Sequence, residues 1–267
     1  MIKLIEFIQV NQNTYPLNIP SLKSISSLKI DHPIVIFTGN NGSGKSTLLK
    51  AIAQKHGAIN TGYFPLDSAY YDDIKPLSEL IKLTYDLKNK KGFMFSGEEF
   101  ITFIHKIQEE KKDLETYIKE VELNYKNKSD FARNQALAPA RKELHAIMHQ
   151  YEGELQQKSH GEGFLSFFKS RLHQKGIYFL DEPETPLSPE HQYQLFVLIS
   201  DLVTSGSQVF IATHSPILMA LNQAVIYDFN QPLKEVKYDE IESVQFLKYF
   251  LNHPHLFKEK VKGHSIK

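Results

Sequence analysis

The stretch 39-GNNGSGKSTLLKAIA-53 follows the apolar run 33-PIVIFT-38, and its reading decides the fold. Gly39, Gly42 and Gly44 let a backbone wrap a phosphate chain at close range, and the amides of Asn40, Asn41, Gly42, Ser43 and Gly44 converge where the next helix has its positive end. Lys45 supplies the charge, bridging β- and γ-phosphates. Ser46 would place its hydroxyl on Mg2+, and Thr47 would add a hydrogen bond lower on the phosphate chain. The pattern G-x4-G-K-S between an apolar strand and a helix is specific, and a chance Gly-rich turn is a poor alternative.

A phosphate cradle hydrolyses nothing by itself, so a strand that delivers carboxylates is required. The segment 177-IYFLDE-182 meets the need. Four apolar residues would carry the chain through a sheet interior, Asp181 would emerge at the strand's end to hold Mg2+ through water, and Glu182 would stand beside the attacking water as the catalytic base. The alternative is an Asp-Glu pair capping the turn before Pro183. A third strand, 209-VFIATHSP-216, ends in His214, which could hydrogen-bond the γ-phosphate and the nearby water, although a lone histidine at a strand end is often structural.

The rest of the chain sets limits. With 267 residues, one large domain with an insertion is as plausible as two domains. Without cysteine there is no disulfide framework and no thiolate metal site. No apolar run approaches the roughly 20 residues needed to cross a bilayer, and the N-terminus lacks the form of a secretion signal, so a cytoplasmic protein is expected. The 31 basic and 31 acidic residues cancel, so the global field gives no support for nucleic-acid binding.

Strands are expected at 2–10 and 34–38, and a helix from Ser46 closed by Gly57. Between about 76 and 158 the apolar residues Phe100, Ile104, Ile107, Leu114, Ile118, Val121 and Tyr125 keep spacings of three and four. Leu137, Ala140, Leu144, Ile147 and Tyr151 repeat them. This predicts a helical hairpin turning within 124-NYKNKSDFARN-134, with Pro139 opening or kinking the returning helix. After residue 176 strands and helices alternate again, as in a parallel sheet covered by helices. The expected organisation is an α/β fold with a mostly parallel sheet. Residues 1–75 and 159–267 would form its ATP-binding lobe and 76–158 a helical hairpin insertion.

Together these residues resemble the ATP-binding-cassette ATPases. The 39–47 loop looks like their Walker A motif, 177–182 their Walker B with its glutamate, and His214 their switch histidine. The resemblance implies a P-loop NTPase fold and a signature segment before Walker B, and 159-SHGEGFLSFF-168 is similar to it, with Ser159 and Gly161 retained. That segment would bind the γ-phosphate held by a second subunit. Taken alone, SHGEG would be a helix-breaking loop. In place of the family's loop glutamine, which touches metal, Glu98 or Glu99 stands at the junction after the strand-like 92-GFMFS-96, with Glu98 favoured. The segment 184-ETPLSP-189 resembles the subunit-crossing loop, so Glu184, Leu187 and Ser188 would face a partner. Tyr15 could stack on adenine or belong to the core.

The motifs 181-DEPE-184 and 213-THSP-216 with a helical insertion resemble the soluble SMC-like and RecF-like bacterial ATPases, some of which act in DNA repair or anti-phage defence. The implied function is an ATPase, using ATP and Mg2+, whose two copies close head to tail and pass closure through the hairpin to DNA or a protein. The alternatives are the ATP-binding subunit of a transporter and a module using ATP only as a structural switch.

Overall fold

The computed structural model describes residues 1–9, 14–23, 25–62, 64–86, 91–126, 128–147, 160–172, 174–230 and 233–257. Its main sheet has seven strands in the order β10 (Lys234–Val236), β9 (Ala224–Asp228), β3 (Ile34–Thr38), β8 (Gln208–Ala212), β7 (Ile177–Asp181), β6 (Gly92–Ser96) and β4 (Ile59–Asn60). Only β10 runs antiparallel to its neighbour. In β3, β7 and β8 every residue is buried, as a parallel sheet covered on both faces requires.

Alternate residues of these strands serve the two faces. Phe37, Phe179 and Phe210 pack with Leu48, Leu49 and Ile52 of helix α2 (Lys45–His56). Ile36, Leu180 and Ile211 enter a second core with α6 (His160–Arg171) and α7 (Pro189–Thr204). Helix α2 ends where expected, because Gly57 takes the left-handed conformation that closes it. A smaller antiparallel sheet, in the order β2 (Ser27–Lys29), β1 (Ile2–Phe7) and β5 (Ile81–Tyr85), adds Ile2, Ile5 and Ile81 to the first core.

The hairpin consists of α4 (Gly97–Asn124) and α5 (Asp130–Ile147), joined by Glu122 and Arg141 at 2.9 Å and with Val121, Leu137 and Ala140 buried. At 1.5 Å per residue the arms reach about 40 Å and about 27 Å, which makes a local arm. Three expectations need correction. The helical insertion begins at Gly97 and not at 76, because β5 pairs with β1 and β6 lies between β4 and β7 in the main sheet. Its expected end, and Tyr151, lie outside the described residues. Pro139 sits inside α5 and does not open it, and Gly161 lies within α6 and not in a loop. Helix α9 (Glu242–Asn252) was not anticipated. Among the described residues no helix is long and apolar enough to cross a membrane.

Candidate active site

The phosphate loop joins β3 to α2, and its tightest point is Gly44. There φ is 100° and a Cβ would come within 2.8 Å of Ile19 Cγ2, so no other residue fits without displacing that packing. The loop opens on a cleft of about 430 Å3 lined by Asn41, Gly42, Gly44, Lys45, Ser46 and Thr47, with Tyr15, Asn18, Ile19, Pro20 and Glu182. That volume suits a small-molecule ligand. Tyr15 is half exposed and its hydroxyl lies 3.1 Å from Thr47 Oγ1, so it is a wall of the cleft and not a core residue.

Asn40 and Ser43 are not among the lining residues. The Asn40 amide donates to Asn230 Oδ1 (3.0 Å), and the Ser43 carbonyl accepts the Ser21 hydroxyl (2.6 Å). These two contacts brace the loop from behind. Asn230 and Ser21 were missed in the sequence, where a single Asn or Ser far from the motif carries no signal.

Lys45 is 4% exposed, and its ammonium donates to the carbonyls of Gly39 and Asn40, each at 2.9 Å. Burial lowers its pKa, against the charges of Glu182 and Asp181. Its donors thus rest on loop carbonyls that phosphate oxygens could replace. Asp181 is buried at the end of β7, and burial raises its pKa against the pull of Lys50 and of the Ser46 hydroxyl. Its Oδ1 is buried without a hydrogen-bond partner among the described residues, an open acceptor at the end of β7. An Asp oxygen, a Ser hydroxyl and the oxygens of a bound phosphate chain form the kind of donor set magnesium takes, so the residues present fit the ion.

Lys50 lies one helical turn beyond Ser46, on the same face of α2. Its ammonium is 2.9 Å from Glu99 Oε1 and 3.5 Å from Asp181 Oδ2. Burial works against this charge, but Asp181 and Glu99 outweigh it and raise the pKa of Lys50. Glu99 also accepts from the Tyr71 hydroxyl at 2.5 Å and from Asn60 at 3.2 Å, while burial and that carboxylate push the Tyr71 pKa up. Of the two glutamates at the junction, Glu99 is therefore committed to this network, and Glu98 is exposed on the first turn of α4. The signal for Lys50 was its i+4 spacing from Ser46.

Glu182 takes φ 44°, uncommon for a non-glycine residue, and its amide donates to the Ala212 carbonyl at 2.8 Å. This turn brings Glu182 Oε1 to 3.6 Å from His214 Nε2. Burial and the charge of Lys45 lower the His214 pKa against the pull of Glu182, which favours neutral imidazole. Gly97 abuts the same turn: a Cβ there would overlap the Glu182 carbonyl oxygen. Gly97→Ala is expected to cost about 1–3 kcal/mol from that overlap, more than the roughly 1 kcal/mol of helix propensity it gains. Thermal unfolding should show the loss, accompanied by slower ATP hydrolysis. Unchanged stability and rate would mean that the turn does not depend on this contact.

The structure thus brings together Lys45, Ser46, Thr47, Asp181, Glu182, His214 and Tyr15. Ser159 lies outside the described residues, directly before α6, and Gly161 is in that helix's first turn. The residues expected to cross to a partner are turned inward or locally engaged. Leu187 is buried in the second core, Ser188 caps α7, and Glu184 bonds to the segment around His214.

Residues 26–185 match the model of the family described as ABC transporter, and residues 162–219 that of the AAA ATPase domain. The hemin import ATP-binding protein HmuV of Pseudoalteromonas translucida (strain TAC 125) is 26% identical over 218 residues, which cover 78% of this chain and 77% of that protein. Among solved structures, the Smc head domain derived from Pyrococcus furiosus, with an extended coiled coil and bound to the C-terminal domain of ScpA, is 11% identical. That match covers 93% of this chain and 99% of the other, with a TM-score of 0.44. The corresponding values for cbiO1 from Clostridium perfringens, part of the ABC transporter complex cbiONQ, are 16%, 96%, 98% and 0.43.

Proposed function

Since this chain belongs to the ABC transporter family and is an ATP-hydrolysing enzyme, we propose that its phosphate loop, Asp181, Glu182 and His214 form one half of a composite ATP site completed by a second copy. The observation that carries the reading is that the phosphate loop after β3 and Glu182 after β7 line one cleft, with His214 from beyond β8 3.6 Å from Glu182. The Lys45 ammonium and loop amides hold the β- and γ-phosphates, and Tyr15 faces the adenine side. Ser46 and Asp181 would hold magnesium, with the exposed Glu98 as the further candidate carboxylate. Magnesium, when bound, neutralises charge on the phosphate oxygens. Glu182 orients water and takes its proton as the water oxygen attacks the γ-phosphorus and ADP leaves. Neutral His214 keeps a hydrogen-bonding nitrogen beside Glu182 and the γ-phosphate. Ser159 and, in the first turn of α6, Gly161 would approach the γ-phosphate of the opposite copy, aided by the positive helix end.

Two helical arms inserted between the phosphate loop and β7 favour a partner engaged through the hairpin, either DNA or a protein, with DNA repair or anti-phage defence as the finer reading by analogy. If DNA is bound, Lys126, Lys128 and Arg133 near the tip are the expected contacts, although Arg133 is held by Asp130 at 2.6 Å. Affinity should then fall steeply between low and physiological salt as counterions are released. Fluorescence anisotropy with a labelled duplex tests this, and salt-independent binding or none would point to a protein partner. The similarity to a hemin import ATP-binding protein favours a second reading, the ATP-binding subunit of a transporter. Co-fractionation with membranes would support that one.

A further inference from the structure

Glu184 is the second glutamate of 181-DEPE-184, and its Oε1 receives three donors from one short segment. These are the Thr213 hydroxyl at 2.7 Å, the His214 amide at 2.7 Å and the Ser215 amide at 3.1 Å. Strand β8 ends at Ala212, and the last ladder bond beyond it runs from the Thr213 amide to the Phe37 carbonyl. The sheet therefore stops one residue short of His214. Among the described residues the His214 amide donates only to Glu184. Ser215 is held further by its hydroxyl, which donates to Gln192 of α7 at 2.7 Å and caps the short helix α8 (Pro216–Met219).

We infer that Glu184 is a positioning residue for the hydrolysis: it fastens the segment carrying His214 to the turn carrying Glu182, and so fixes the distance between the two side chains. The backbone already ties Glu182 to Ala212, at the end of β8. Glu184 provides the next tie along, where no strand pairing is left to provide one. The residue type follows from the geometry. One acceptor oxygen must serve three donors, which suits a carboxylate, and aspartate would fall short by a methylene. Without the carboxylate the His214 amide and Thr213 hydroxyl lose their acceptor, and the imidazole is no longer set against Glu182.

This inference rests on the reading of His214 given above, and a double-mutant cycle tests the two separately. Single-turnover cleavage and nucleotide binding would be measured for the parent, Glu184→Ala, Glu184→Gln, His214→Ala and the Glu184→Ala/His214→Ala pair. Glu184→Ala is expected to slow cleavage roughly ten- to a hundredfold, as loss of an orienting partner commonly does, while ATP affinity and binding stoichiometry stay unchanged. Glu184→Gln keeps a carbonyl acceptor and should retain most of the rate. In the His214→Ala background the same alanine substitution should add little, because the effect passes through the imidazole. Full additivity, a loss confined to ATP affinity, or an unaffected Glu184→Ala would overturn the inference. An unaffected His214→Ala would remove the reading beneath it, and the inference with it.

Discussion

Replacing Lys45 with alanine is expected to remove ATP binding while leaving the fold intact. Two effects on stability oppose each other. The loop carbonyls of Gly39 and Asn40 lose their donor, but an ammonium that is only 4% exposed, and whose charged form burial disfavours, is also removed. The ligand-free protein should therefore unfold within a few degrees of the parent. ATP affinity has no such compensation. Two charge-assisted hydrogen bonds to phosphate, at about 1.5–3 kcal/mol each, correspond to a weakening on the order of 10²–10⁴-fold. At an ATP concentration of about 100 times the parent's Kd, the parent gains about 2.7 kcal/mol of stability and the variant at most about 0.4. Thermal unfolding with and without ATP reads both quantities. A variant that still gains its full ATP-dependent stability would displace Lys45 from the phosphate site.

That site was legible because its chemistry is local. The loop needs particular backbone conformations at consecutive positions, so its glycines and lysine stand side by side in the chain. Asp181 and Glu182 likewise follow a fully buried strand, and that burial shows in the run Ile177–Leu180 itself. Residues that meet only in space left no comparable trace. Lys50, Asn60, Tyr71 and Glu99 form one largely shielded polar network from four separate elements; Lys50 shows only by its spacing from Ser46 and Glu99 only by its place after β6, while nothing around Asn60 or Tyr71 distinguishes them from surface residues.

Helix phase was a second obstacle. Successive helical residues differ by 100°, so whether Glu98 or Glu99 faces Lys50 depends on how Gly97 meets the Glu182 turn. Strand β5 was absorbed into the expected insertion because its only visible feature, the alternation in 81-IKLTY-85, is short and adjoins helical spacings. The segment 184–188 shows the limit of resemblance. Its position after Walker B suggested a partner-facing loop, yet the side chain of Glu184 is engaged within its own chain and Leu187 is core.

Substitution of Glu182 by glutamine is the variant expected to separate binding from cleavage. Glutamine keeps the length and hydrogen-bonding reach but cannot take a proton, so cleavage should fall roughly 10²–10⁴-fold with ATP still bound. The side chain is 43% exposed and both residues are unbranched, so the turn at φ 44° loses no packing that stabilises it. ATP then persists. In the paired arrangement its γ-phosphate is gripped by the loop of one chain and by the segment at Ser159 of the other, so the persisting ligand should hold two copies together. Light scattering after gel filtration in ATP and Mg2+ would show the mass double, and the doubling should require both. Adding Ser159→Arg puts a bulky cation directly before α6, where a close backbone approach is needed, and should return the trapped variant to its ATP-free mass while the phosphate loop still binds ATP. An unchanged mass for Glu182→Gln with and without ATP would replace the paired site by a constitutive oligomer or a single-chain switch. A dimer that survives Ser159→Arg would leave the pairing in place and move the opposing contact away from Ser159.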